Sequence, residues 1–264
     1  MSLIRPLALA ALAAVAGCTA LPGSSLTGTP SGYVETAQIV RAAPTVVLEA
    51  GMGAAKETWS DIFAAISSTN TVFAYDRPGI GRSKPTTRPR DGNTIVSDLR
   101  ALLKRRGLPP PYVLVGHSAG GLYMQLYARL YPSEVAGLVL VDSTHPTQLE
   151  GAGSMENRGL ASTVIAVSGW FGPVATEFGA IVETGRQVLA APPLPADLPV
   201  VILIATDRSG TDIARFDNAK RADFAQLYPH ARVREVEGGH NVPIERPQAV
   251  IQAIRDVLAA ARRQ

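Results

Sequence analysis

The pentapeptide Gly116-His117-Ser118-Ala119-Gly120 sets one serine between two glycines, and its flanks give that spacing a meaning. An apolar run, Tyr112 to Val115, precedes it, and a helical pattern, Leu122 to Tyr131, follows it. A strand that becomes a helix within so few residues must turn sharply, and side chains at the glycine positions would collide with neighbouring backbone. The serine at the apex is held in strain, with its hydroxyl facing a crevice at the carboxyl edge of a sheet. Such a hydroxyl attacks only if a base takes its proton, and the base needs a carboxylate to hold its tautomer. The chain offers four histidines, His117, His145, His230 and His240. Carboxylates stand at two strand ends, Asp142 after Gly137 to Val141 and Asp207 after Val200 to Ala205, with Asp212 further on. This set could attack an acyl carbonyl and pass through an acyl-enzyme, with two backbone N–H groups holding the oxyanion. One donor is expected from Ala119, at the start of the following helix.

The elements that must position these groups alternate in type. Thr45 to Leu48, Thr71 to Tyr75, Tyr112 to Val115, Gly137 to Val141, Val200 to Ala205 and Arg232 to Val236 are short β-branched apolar runs and read as strands. Thr58 to Ser67, Thr94 to Arg106, Gly120 to Tyr131, Phe216 to Leu227 and Pro247 to Ala261 carry apolar residues at three- and four-residue spacing and read as helices. The alternation implies an α/β fold with a mostly parallel sheet covered on both faces. It fails from Ser143 to Leu198, a stretch too long for a bare loop, which predicts a small helical cap inserted at about 143–198. Thr163 to Trp170 and Ile181 to Leu189 are its expected short helices. Trp170, Phe171 and Phe178 would form either an acyl-binding wall or the cap's own core.

Length and composition set the outer limits. The 264 residues, 46% of them hydrophobic, suffice for one substantial core, so one folded domain over 33–264 is expected. Lysines and arginines number 25 against 22 acids, without a long basic run. Arg88, Arg90, Lys104, Arg105, Arg106, Arg262 and Arg263 read as a solvated surface, which argues against a nucleic-acid partner. No C-x-x-C pair, H-E-x-x-H or G-x-x-x-x-G-K-[ST] loop occurs, so no metal or organic cofactor is implied. Met1 to Arg5 followed by the apolar run Pro6 to Ala16 has the form of a signal peptide, well short of the about 20 residues of a spanning helix. Thr19 to Gly32, rich in Ser, Thr, Gly and Pro, reads as a flexible tether.

Two resemblances sharpen these readings. Val15-Ala16-Gly17-Cys18 resembles the bacterial lipoprotein lipobox, which implies cleavage after residue 17 and lipidation of Cys18, the only cysteine. That implies a membrane-attached protein of the cell envelope, on the periplasmic side of the outer membrane in a Gram-negative cell. From about Thr45 to the last helix the chain resembles the α/β-hydrolase superfamily, on the glycine-flanked Ser118 and on Asp76-Arg77-Pro78-Gly79-Ile80-Gly81-Arg82-Ser83, which is similar to the family's D-x-x-G-x-G-x-S turn. The resemblance makes His240, in Glu237-Gly238-Gly239-His240 after the last strand, the base. It gives Asp76 a loop-supporting part only. His117 would pack or hydrogen-bond beneath the turn, and His145 and His230 would be loop or surface residues. Asp207 holds the commoner position for the acid but lacks the usual preceding glycine, and subfamilies similar to Val141-Asp142-Ser143-Thr144-His145-Pro146 favour Asp142. The second oxyanion donor is expected at Met52, in Glu49-Ala50-Gly51-Met52-Gly53, where Ala50-Gly51 replaces the family's His-Gly. A serine nucleophile implies acyl chemistry on a small-molecule ester. Amide or thioester hydrolysis, acyl transfer, and a non-catalytic binding protein on the same fold are the alternatives.

Overall fold

The computed structural model describes residues 20–154, 172–206 and 212–263. Eight strands, β1 (Ser25–Thr29), β2 (Gly32–Ile39), β3 (Ala42–Glu49), β4 (Asn70–Tyr75), β5 (Tyr112–His117), β6 (Val135–Val141), β7 (Val200–Ala205) and β8 (Arg232–Val236), form one sheet in the order β1-β2-β4-β3-β5-β6-β7-β8. Strands β3 to β8 pair in parallel, whereas β2 runs antiparallel to β1 and β4. The α/β fold expected from the alternating pattern is therefore the fold observed.

Each central strand serves two cores, because successive side chains point to opposite faces. Leu114, Leu138 and Leu140 pack on one face against α2 (Gly92–Arg105), α3 (Ala119–Leu130) and α4 (Pro173–Ala190). Val113, Val115, Val139 and Val141 face the other side, against α1 (Ser60–Ile66) and the last helix, Pro247–Ala261. Between these lie α5 (Asp212–Ala222), α6 (Phe224–Leu227) and α7 (Val242–Glu245), which makes the last helix α8. Local chemistry sets the boundaries. Asp91 accepts from the N–H groups of Asn93 and Thr94, so α2 starts at Gly92, two residues ahead of the apolar pattern.

Three expectations need correction. The tether reading fails over most of its length: Ser25–Thr29 pairs along β2, and Leu21 is only 5% exposed. Composition misleads there because the segment is held by ladder hydrogen bonds and hydroxyl contacts. Arg106 Nη1 donates to Ser25 Oγ at 3.0 Å, and Leu21 supplies the one apolar anchor. In the cap, the short helix expected at Ile181 to Leu189 is the second half of the 18-residue α4. Its buried stripe, Glu177, Ile181, Thr184, Gly185 and Val188, begins with a charged residue that an apolar pattern cannot register. Finally, Arg90 is buried rather than solvated and pairs with Glu177. Cys18, Thr163 to Trp170, Phe171 and Asp207 lie outside the described residues. Among those described, no helix is long and apolar enough to cross a membrane.

Burial of Leu21 carries a measurable consequence. Leu21→Ala is expected to lower unfolding free energy by about 2 kcal/mol, the low end for a leucine at the rim of a core. A urea titration of that variant against the parent reads this directly. Identical midpoints would mean that the segment before β1 is a tether after all.

Candidate active site

Ser118 is the first residue after β5 and sits at φ 53°, ψ −124°, a conformation that side-chain-bearing residues rarely adopt. The fold permits it because neighbouring backbones crowd the turn where glycines stand. A Cβ at Gly116 would lie 2.6 Å from the Cα of Gly121, and one at Gly120 would lie 2.5 Å from the Ala50 carbonyl oxygen. The turn is also stitched to the next strand. Ser118 N–H donates to Val141 O at 3.2 Å, and Thr144 N–H donates to Ser118 O at 3.0 Å.

Directly after β6, Asp142 is the only other non-glycine residue with positive φ among the described residues, at 42°. Its backbone N–H donates to Leu203 O at 2.8 Å, which seats it between β6 and β7. The carboxylate is 1% exposed as a residue and fully partnered. Oδ1 accepts from Ala205 N–H at 2.9 Å and lies 3.0 Å from Arg221 Nε of α5, an ion pair by distance in which the N–H is not aligned for a hydrogen bond. Oδ2 faces His240 Nδ1 at 2.6 Å.

His240 lies between β8 and α7, with its side chain 47% exposed. Its Nε2 is 2.9 Å from Ser118 Oγ. Serine, imidazole and carboxylate therefore form one continuous hydrogen-bonded row, assembled from the carboxyl ends of β5, β8 and β6. Of the two acids expected at strand ends, the structure brings Asp142 into this row, while Asp207 is not among the described residues.

His117 supports the row from below. It is 4% exposed, and its Nε2 donates to the backbone oxygen of His240 at 2.8 Å, which pins the loop that carries His240. Burial, with the neighbouring His240 adding to it, pushes its imidazole down to about 4, so it is neutral at ordinary pH. The expected role beneath the turn is the one seen. His145 stands in the loop after β6, as expected, but is buried there, 7% exposed and packed against Phe224, and burial likewise pushes it down to about 4. His230 is exposed, as expected. Asp76 accepts from Lys56 N–H at 2.6 Å and from Lys56 Nζ at 3.1 Å, a loop-supporting arrangement. Phe178 is half-buried on α4.

Ala119 opens α3, where the first N–H groups of a helix have no partner within it. Met52 is half-buried in the loop after β3, beside Gly51, whose Cβ position lies 3.3 Å from Ser118 Cβ. Two participants escaped the sequence reading. Arg221 stands on a polar helix with nothing to tie it to Asp142, and the Ala205 N–H is a backbone group.

A model of the alpha/beta hydrolase family matches residues 46–253. The chain belongs to that family. Among curated relatives, the uncharacterized protein YqjL of Bacillus subtilis is 39% identical over 98 residues, which span 37% of this chain and 39% of the relative. The chain thus matches about two fifths of that protein's length. Among solved structures, one from work on carboxylesterases of Nitrososphaera gargenis has a TM-score of 0.68 at 16% identity, covering 90% of this chain and 99% of the other. A thermophilic esterase from Thermogutta terrifontis has a TM-score of 0.63 at 21% identity, covering 90% and 98%. At these identities the likeness is one of fold.

The two buried histidines make stability depend on pH. An unfolded chain protonates them near pH 6.5, whereas the folded chain resists until about pH 4. Their contribution is therefore complete above pH 6.5 and is lost as pH falls towards 4. Melting temperature should fall across that window, and less steeply in His117→Gln, whose amide can still donate to His240 O. Parallel slopes for the two proteins would show that His117 is not held neutral by its site.

Proposed function

We propose that the chain hydrolyses carboxylic esters through an acyl-enzyme on Ser118. The row Ser118 Oγ, His240 Nε2, His240 Nδ1, Asp142 Oδ2, closed by contacts of 2.9 and 2.6 Å, carries this reading. With Nδ1–H donated to the carboxylate, Nε2 offers its lone pair to the serine proton. Ser118 Oγ attacks the acyl carbon as His240 takes that proton. The carbon–alkoxide bond then breaks and the proton leaves with the alcohol. Water, deprotonated by His240, attacks the acyl-enzyme, the acid departs, and Ser118 regains its hydrogen. The contacts of Ala205 and Arg221 to the other carboxylate oxygen support a positioning role for Asp142, since they fix its plane. The N–H groups of Ala119 and Met52 would hold the oxyanion.

The esterase likeness of the fold favours an ester over an amide or thioester. The lipobox-like Val15-Ala16-Gly17-Cys18 further supports lipid attachment at Cys18, which would hold the enzyme at a membrane of the cell envelope. Replacement of Cys18 by serine should then move the protein from the membrane fraction to the soluble one.

A chromogenic ester series from acetate to long acyl chains tests the main reading. Ser118→Ala should abolish turnover and covalent labelling by an organophosphonate. Asp142→Asn should lower kcat by about 10³- to 10⁴-fold, as expected when the base is left in the wrong tautomer, whereas Asp207→Asn should stay near the parent rate. A larger loss in Asp207→Asn would reassign the acid. A chain that turns over no ester and resists the phosphonate would be a binding protein on a hydrolase fold.

A further inference from the structure

Arg77, in the turn after β4, lies beneath the loop that follows β3. It is 2% exposed, and each of its five N–H donors has an acceptor. Nε and Nη2 donate to the two carboxylate oxygens of Glu177 at 2.8 and 2.9 Å. The remaining Nη1 and Nη2 hydrogens reach Glu49 Oε1 at 2.6 Å, Ala50 O at 2.8 Å and Gly51 O at 2.8 Å. The last two are consecutive carbonyls in the loop whose next N–H belongs to Met52. A trans peptide points its carbonyl and its N–H in opposite directions. A guanidinium that grips the Gly51 carbonyl therefore turns the Met52 N–H away from itself. Ser118 is close to the same loop: a Cβ on Gly51 would lie 3.3 Å from Ser118 Cβ and 3.0 Å from His117 Nδ1.

The other end of the grip is in the cap. Glu177 lies 100 residues from Arg77 in sequence, on the buried stripe of α4, and Arg90 is its second cationic partner. Burial alone would raise its carboxyl, but Arg77 and Arg90 outweigh that and hold it below the usual range, so it remains an anion. Burial pushes Glu49 upward, against the pull of Arg77 and of the Tyr75 hydroxyl that donates to it at 2.6 Å. An arginine enclosed in this way has one orientation only, and that orientation depends on the seating of α4.

We propose that Arg77 is the positioning residue of the oxyanion hole, and that its bidentate bond to Glu177 makes the seating of the cap helix a condition of the hole's geometry. The inference rests on Ser118 being the nucleophile and Met52 a donor.

The test compares Arg77→Lys and Glu177→Gln with the parent on p-nitrophenyl acetate, with active sites counted by phosphonate labelling. A lysine keeps the charge but cannot span two carbonyls and two carboxylates. For Arg77→Lys, kcat per labelled site should fall about 10²-fold, of the order seen for a lost oxyanion donor, with KM within about threefold. Affinity for a boronic acid, whose tetrahedral adduct places an oxygen in the hole, should fall in parallel, and the pH at half-maximal kcat/KM should not move. Glu177→Gln retains an acceptor and should show a smaller loss of the same kind, about tenfold. A merely structural role would lower the number of labelled sites while kcat per site stays at the parent value, and that result overturns the proposal. If Arg77→Lys does not fold, Glu177→Gln decides: unchanged kcat per site and boronate affinity overturn the proposal as well. A parent protein inert to both ester and phosphonate would overturn the esterase reading first, before any variant is compared.

Discussion

A helix can leave the end of β5 at Ser118 only where the backbones of α3 and of the loop after β3 come within contact distance of the turn. Gly116 and Gly120 allow that approach, and it admits two neighbours. One is the start of α3, which opens at Ala119. The other is the loop holding Gly51 and Met52. Parallel pairing of β5 with β6 then sets Asp142 one strand away from Ser118, also at positive φ. Strain at adjacent strand ends is of order 1–3 kcal/mol per residue, and it is tolerated because the hydrogen bonds of Ser118, Thr144 and Asp142 to neighbouring backbone over-determine both turns.

Beneath this edge the protein buries charge. Lys56 lies among Glu35, Glu57 and Asp76, and Arg77 and Arg90 lie among Glu49 and Glu177. Such clusters stabilise poorly compared with apolar packing, because desolvation cancels most of the attraction. Their gain is in direction: a guanidinium with five fixed bonds orients the loops it touches, which a leucine of the same volume could not do. The sheet supplies the gross positions, and Arg77 holds the carbonyls of Ala50 and Gly51 in the loop after β3.

Much of this was legible in the sequence for identifiable reasons. A strand buried on both faces reads as a short apolar run, so β7 coincides with its expected limits; β8, largely exposed, is marked only by the alternation of Val233 and charged residues. The strand–turn–helix around Ser118 was readable because its steric demands fall on two glycines. Groups whose environment comes from distant sequence were not readable. Glu177 and Arg90 look like surface residues until they are seen to neutralise each other. Arg221 meets Asp142 only because α5 packs beside β7. The strand β1 was missed because Ser and Thr carry little hydrophobic signal, and their contribution there is a hydrogen-bonded edge.

The three members of the row are spread widely along the chain: Ser118 and His240 are 122 residues apart, and Asp142 and His240 are 98 apart. The imidazole stands after β8, the last strand of the sheet and the edge strand on its side. A growing chain can therefore hold Ser118 and Asp142 in place while lacking His240. Contacts of such sequence separation carry a loop-closure cost that more local pairs do not. The row of Ser118, His240 and Asp142 is therefore complete only in molecules whose sheet extends to its final strand.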